Sequence, residues 1–209
     1  MKLSLAFFAT ILFSLSSPVL AEDGWISLSG GDSTEGWTPR GEVNSFTSKD
    51  GVIRLETSKN VWVVSDLKLA NFIAEMEVKV PGRGNFNSGL AFRCTGEKGK
   101  PKGYQAEVDG TGAMAGGVYG IGLGGWLFPK AADKKAFEAK NKGNFDLKEW
   151  NTIRVKAVGP RIQTWVNGKP VADVKDSKSL RGFFGIQHHG GGDVVMFRKI
   201  RVKDLGAKK

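Results

Sequence analysis

The stretch from Phe72 to Val80 alternates without a break. Phe72, Ala74, Met76, Val78 and Val80 fall on one side of an extended chain, and Glu75, Glu77 and Lys79 on the other. Successive side chains of a strand point to opposite faces, so this segment predicts a strand with one greasy and one wet side. Pro81-Gly82 ends it. The same grammar recurs along the chain. Asp50-Gly51 bends a hairpin between Phe46 and Leu55, Gly159-Pro160 turns the segment after Trp150, and Asn167-Gly168 turns the one after Trp165. Short strands joined by such turns predict an all-β antiparallel sandwich.

One segment departs from this pattern. Thr111 to Asn144 opens on glycines, among them Gly116, Gly117, Gly120, Gly122, Gly124 and Gly125. No Gly-Lys-Ser/Thr motif closes it, so it is not a phosphate-binding loop. It predicts a long loop lying close against the sheet as a lid, presenting Trp126, Phe128 and Lys130. Ala131 to Asn141, rich in Ala, Lys and Glu, predicts a short exposed helix. Trp25, Trp37, Trp62, Trp150 and Trp165 are expected in the core.

The bulk properties narrow the class. Residues 1–21 combine an early lysine, a short apolar stretch and small residues before Glu22, the pattern of a secretory leader cut after Ala21. The expectation is an exported protein, periplasmic or extracellular, with residues 22–209 forming one domain. No later segment is apolar for long enough to span a bilayer. The single cysteine, Cys94, permits neither an internal disulfide nor a thiolate metal cluster. It is expected to fill space in a strand. The net charge of +10 raises the question of nucleic acid. The lysines are scattered and no nucleic-acid motif accompanies them, so the charge is read as a solvated surface or an attraction to acidic glycans. Nothing in the sequence sets the oligomeric state.

Chemistry is concentrated between Asn85 and Gly110. Paired as a hairpin, this stretch puts Leu90, Phe92, Tyr104, Ala106 and Val108 on one side, and Arg93, Gln105, Glu107 and Asp109 on the other. Near the C-terminus, alternation puts Gln187 and His189 on one face and His188 on the opposite one. Histidine titrates near neutrality, which suits it to proton transfer. The bland alternative is an Arg93–Glu107 cross-strand ion pair on a wet surface.

The ordered set NSGLAFR, GYQAEVD, GGVYG, EWN followed by WVNG, and GFFGIQHHG followed by VMFRKIRVKDL resembles the DUF1080, or 3-keto-disaccharide hydrolase, domain family over essentially the whole chain after the leader. That resemblance implies a concanavalin A-like jelly roll, a carbohydrate partner, and cleavage of glycosides whose sugar carries a 3-keto group. The alternative is a non-catalytic, lectin-like module. A ketone at C3 acidifies the C2 proton. Cleavage can therefore run by elimination and hydration, given a base, an enolate stabiliser and an acid for the leaving group. By resemblance His189 is the histidine of the family's Gln-x-His-Gly pattern and the first candidate base or acid. Glu107 and Asp109 could serve as base, as orienters, or with His189 as ligands to a divalent metal such as calcium. Arg93, Gln105, Asn87 and Gln187 could hold hydroxyls, Trp126 could stack on the sugar, and Lys130 stands beside it. Some members carry Tyr-Glu where this chain has Tyr104-Gln105; if that Glu is the working carboxylate, Glu107 has to substitute for it.

Overall fold

A computed structural model describes residues 20–21, 24–82 and 84–206. The leader expected over residues 1–21 lies almost entirely outside them. The strands are β1 (Leu20–Ala21), β2 (Trp25–Ser27), β3 (Trp37–Pro39), β4 (Ser45–Lys49), β5 (Val52–Glu56), β6 (Val61–Leu69), β7 (Phe72–Lys79), β8 (Asn87–Thr95), β9 (Lys102–Asp109), β10 (Val118–Ile121) and β11 (Gly125–Phe128). A 3-10 turn (Ala131–Asp133) and helix α1 (Lys134–Asn141) follow, then β12 (Asn151–Val158), β13 (Arg161–Val166), β14 (Lys169–Lys175), β15 (Gly182–His188) and β16 (Val194–Asp204).

These strands make two antiparallel sheets packed as a sandwich. The front sheet has seven strands in the order β11-β10-β9-β8-β15-β6-β3. The back sheet has nine, with β1-β2-β16-β7-β12-β13-β14 as its path and the β4–β5 hairpin joined through β16. The alternating positions of β7 behave as the pattern demands: Phe72, Ala74, Met76 and Val78 are all buried between the sheets. They meet Leu90, Phe92, Ala106 and Val108 of the front sheet in one core. The Asp-Gly and Asn-Gly turns adopt the left-handed backbone that tight hairpins need. Asp50 and Gly51 have φ of 51° and 75°, and Asn167 and Gly168 have 48° and 78°.

Two expectations are corrected. The Gly-rich segment is not a loop lying over the sheet. It continues the sheet as the hairpin β10–β11, paired edge to edge with β9. Its glycines serve the tight turn, where Gly122, Gly124 and Gly125 all have positive φ. The helix is where it was expected, and its buried Asn141 donates to the Ala113 and Ala115 carbonyls, pinning the turn that leads into β10. Of the five tryptophans assigned to the core, only Trp37 and Trp62 are buried. Trp25, Trp150 and Trp165 are half-buried. They sit among the outward-facing side chains of the back sheet, where the indole edge covers neighbouring side chains without leaving water completely.

A buried carboxyl and amide cluster on the front sheet

The front sheet has a second, smaller apolar cluster on the face turned away from the core, made of Trp62, Val64, Ala91, Cys94, Ile121 and Phe183, with Tyr119 against it. Register explains what stands among them. One row across the sheet runs Trp62, Gln187, Gly89, Glu107. The next runs Val64, Gly185, Ala91, Gln105, Tyr119, Trp126. Residues opposite each other across paired strands share a face, so Gln187, Glu107, Gln105, Tyr119 and Trp126 all look outward from this sheet.

Gly89 makes the cluster possible. It sits between Gln187 and Glu107, and a Cβ there would come within 2.6 Å of the Gln105 side chain. The Gln105 carboxamide occupies that notch. Its Nε2 donates to the Gln187 Oε1 at 2.7 Å and to the Glu107 Oε2 at 3.3 Å. Its Oε1 accepts from the Trp62 indole N–H at 3.2 Å. Gln187 in turn donates to the Asn60 side chain at 2.8 Å. The Asn87 amide donates to the other oxygen of Glu107. Glu107, Gln105 and Gln187 are each only 3% exposed.

Burial dominates the electrostatics. Desolvation raises the Glu107 pKa to about 8; the Asn87 and Gln105 hydrogen bonds pull it down, and the nearby Asp109 charge adds to the rise. At neutral pH this carboxyl mostly holds its proton. Among the described residues no cation pairs with it, and Arg93 is not there.

Arg93 is the clearest correction to the hairpin reading. The pairing of β8 with β9 slips between Phe92 and Thr95, and Arg93 has φ of 50°. This bulge turns the guanidinium through to the core side of the sheet. It is fully buried, donating to the Ala70 carbonyl at 2.6 and 2.9 Å and to the Gly159 carbonyl at 2.7 Å. Cys94 takes the outward place instead. Burial pushes its thiol up to about 12, so it is inert packing.

The remaining candidates divide. Asn87 belongs to the cluster. His189 is exposed, just beyond the end of β15, and its backbone N–H donates to the Asn87 carbonyl at 3.1 Å. Asn87 thus touches both His189 and Glu107. His188 lies buried on the core side with its ring edge against Phe86, as alternation expects. Asp109 is committed to its own turn, accepting from the Met114 N–H at 2.9 Å and from the Thr111 backbone and hydroxyl. Lys130 is exposed and its charge acts on Asp176, which accepts from the core-side Tyr104, so it stands apart from the cluster. Trp126 packs edge-on against Tyr119, ring centres 5.3 Å apart. Among the described residues no three His, Cys, Asp or Glu side chains converge on a point that could hold a metal ion. His189, Glu107 and Asp109 therefore do not form a metal cradle. Sequence reasoning missed Tyr119, Asn60 and the polar role of Trp62. The only signal for them was the pairing of β10 with β9 and of β6 with β15.

A groove of about 670 Å³ adjoins the cluster, walled by Arg40, Val64, Ser65, Lys68 and Phe183. Val64 and Phe183 belong to the same outward apolar cluster as Trp62, and the Arg40 N–H donates to the Trp62 carbonyl at 2.8 Å. Groove and carboxyl thus share one face of the sheet, the groove over β3 and β6 and the carboxyl on β9.

Comparison with solved structures places the sandwich among galectin- and concanavalin A-like folds. A candidate glycosyl hydrolase of Parabacteroides distasonis superposes with a TM-score of 0.64 at 19% identity, over 90% of this chain and 99% of the other. The carbohydrate-binding module CBM66 of Bacillus subtilis gives 0.57 at 18% identity, over 81% and 96%. The exoplasmic/lumenal domain of VIP36, bound to Ca2+ and Man3GlcNAc, gives 0.59 at 10% identity, over 91% and 92%. No curated protein is significantly similar in sequence. Residues 24–203 match the family model described as a 3-keto-alpha-glucoside-1,2-lyase-like domain.

Proposed function

The chain belongs to the 3-keto-alpha-glucoside-1,2-lyase-like domain family, and from that premise we propose that it cleaves 3-keto-glycosides on the outward face of the front sheet. The observation that carries this reading is Glu107: a carboxyl buried on an outward sheet face and held by two amides, Asn87 and Gln105, the second itself fixed by the Trp62 indole. A purely structural position there would be filled by an apolar residue at less cost.

In this scheme His189 takes the C2 proton of the sugar, and the electron pair delocalises onto the C3 ketone oxygen as an enolate. The enolate then re-forms the ketone, a C1–C2 double bond appears, and the C1–O bond breaks with its electrons on the leaving oxygen. Glu107 gives that oxygen its proton. Addition of water across the double bond completes a net hydrolysis. The Asn87 and Gln187 carboxamides, each spending one N–H inside the cluster, offer the other to the enolate and the sugar hydroxyls, while Gln105 holds Gln187 in place. Tyr119 and Trp126 offer ring surface at the edge of the same row. A carboxyl whose pKa is raised to about 8 is protonated where such an acid must work. The leader-like residues 1–21 add export to this proposal, which the mass of the mature chain in a periplasmic or culture fraction checks.

The test is incubation with a 3-keto-glucoside and assay of the free aglycone. Release that fails with Glu107→Gln supports the reading. No release, together with saturable binding of the unoxidised glycoside, makes the domain a binding module. The amide row itself, which needs no titrating group to hold a sugar, is what gives that second reading its weight.

A further inference from the structure

We propose that the outward face of the back sheet is a second, separate binding surface, and that its ligand is a uronic-acid polysaccharide. Strand register arranges the charge on this face. Arg201 and Arg154 flank Glu75 from the strands on either side. Both pair with its carboxylate, Arg201 at 2.6 Å. Glu77 is shared in the same way by Arg198 at 2.6 Å and Lys199 at 2.7 Å. Each carboxylate therefore serves two cations, and each trio keeps a positive charge. In the next row Lys203 and Lys156 stand on either side of Ile73, not of an acid. Lys156 then opens onto a groove of about 870 Å³, where Arg161, Gln163, Asp173 and Lys175 form the walls.

The cations are also preorganised. The Arg201 guanidinium lies over the Trp25 ring at 4.4 Å, and that of Arg198 over Trp150 at 4.1 Å. A guanidinium held flat by an indole and squared by a carboxylate has little rotamer freedom left to lose on meeting a carboxylate ligand. Mere solubility would not require such fixing.

The same facts select among polyanions. A membrane surface would call for apolar side chains to insert. The large hydrophobic residues most exposed among the described residues are Leu180 and Leu205, and neither lies in a strand of this face. Single-stranded nucleic acid would call for open aromatic platforms, and here the indoles of Trp25 and Trp150 are roofed by arginine; duplex DNA needs only cations, and a parallel binding measurement separates it from the glycan. A carboxylate-bearing glycan needs only the spaced cations and a groove.

The experiment measures binding of polygalacturonate to the full chain at low and high salt. Duplex DNA and phosphatidylglycerol vesicles are tested in parallel. Lys156→Glu with Lys203→Glu reverses two charges on the face; Lys135→Glu with Lys140→Glu makes the same change of net charge on helix α1. The face variant should lose about tenfold or more in affinity and the helix variant little, with binding weakened by salt in all. Circular dichroism and thermal melting establish that both variants fold. Equal losses in the two variants would overturn the proposal. So would an absence of saturable binding to polygalacturonate, or tighter binding of vesicles or DNA. The outcome is independent of the front-sheet chemistry, which can be assayed on the same samples.

Discussion

Glu107 is a carboxyl in a place where carboxylates are costly. The Asn87 and Gln105 amides donate to it and solvate it partially, and no cation among the described residues pairs with it. The physical consequence is a group that gives up its proton at about pH 8. If it acts as the acid, turnover of a 3-keto-glycoside should fall as pH rises through that value. Glu107→Gln keeps the shape and removes the transferable proton. It should lower kcat by about 10²–10⁴-fold, with KM much less affected, in a steady-state assay across pH 5–9. Gly89 is the second residue that decides the site. A methyl there strikes the Gln105 side chain and the Ala106 carbonyl, each at 2.6 Å. Gly89→Ala should therefore expel Gln105 from its notch and lower stability by about 1–3 kcal/mol, read by urea denaturation. It should also weaken sugar binding, because Gln187 and Glu107 would lose their shared partner.

At the scale of the element, β8 is the strand that carries the site, and its bulge is where sequence reasoning failed. Perfect alternation from Leu90 onward puts Arg93 outward. The observed slip puts Arg93 into the sandwich and Cys94 outward. The bulge is accommodated by glycine on both neighbouring strands. A Cβ at Gly182 of β15 would lie 2.2 Å from the Cys94 carbonyl, and one at Gly103 of β9 would lie 2.7 Å from the Cys94 sulfur. Gly182→Ala should thus cost about 2–4 kcal/mol, whereas Gly30→Ala, where a Cβ meets nothing within 4 Å, should be close to neutral. Chemical denaturation of the two variants makes the comparison. Those two glycines were legible as residues but not as a bulge. Their meaning depends on which strands flank β8, and β15 lies some 90 residues further on in the chain, about where no local pattern reaches. By contrast, the faces of β7 and the Asp-Gly and Asn-Gly hairpins were readable because period and turn chemistry are local properties. Alternation put Glu107, Gln105 and Gln187 on their faces, whereas Asn87 entered only through the NSG motif. Tyr119 was not, because glycines hid a real strand.

For the molecule as a whole, the buried acid links stability to pH in an unusual direction. Glu77, Asp173 and Asp176 gain partners on folding that hold them below their ordinary range. Asp176, for example, is held below its ordinary range, since the Tyr104 hydroxyl, the Lys178 backbone N–H and nearby lysines outweigh the effect of burial. Such groups contribute stability that is lost as pH falls through their folded values. Glu107 does the opposite. Its folded value of about 8 lies above the 4.5 of the free side chain, so the folded state keeps a proton that the unfolded chain releases. Below about pH 4.5 both states are protonated and the contribution is fully present. Between about 4.5 and 8 unfolding releases a proton, and stability drops steadily as pH rises, by on the order of a few kcal/mol in all. Above that the loss is complete. Glu107→Gln should remove this slope while leaving every other titration in place. The difference in unfolding free energy between wild type and Glu107→Gln, measured by urea denaturation at pH 5, 6.5 and 8, should move steadily against the wild type. A difference that stayed constant over that range would mean that Glu107 is ionised in the folded protein, and the assignment of a proton donor to this face would fail with it.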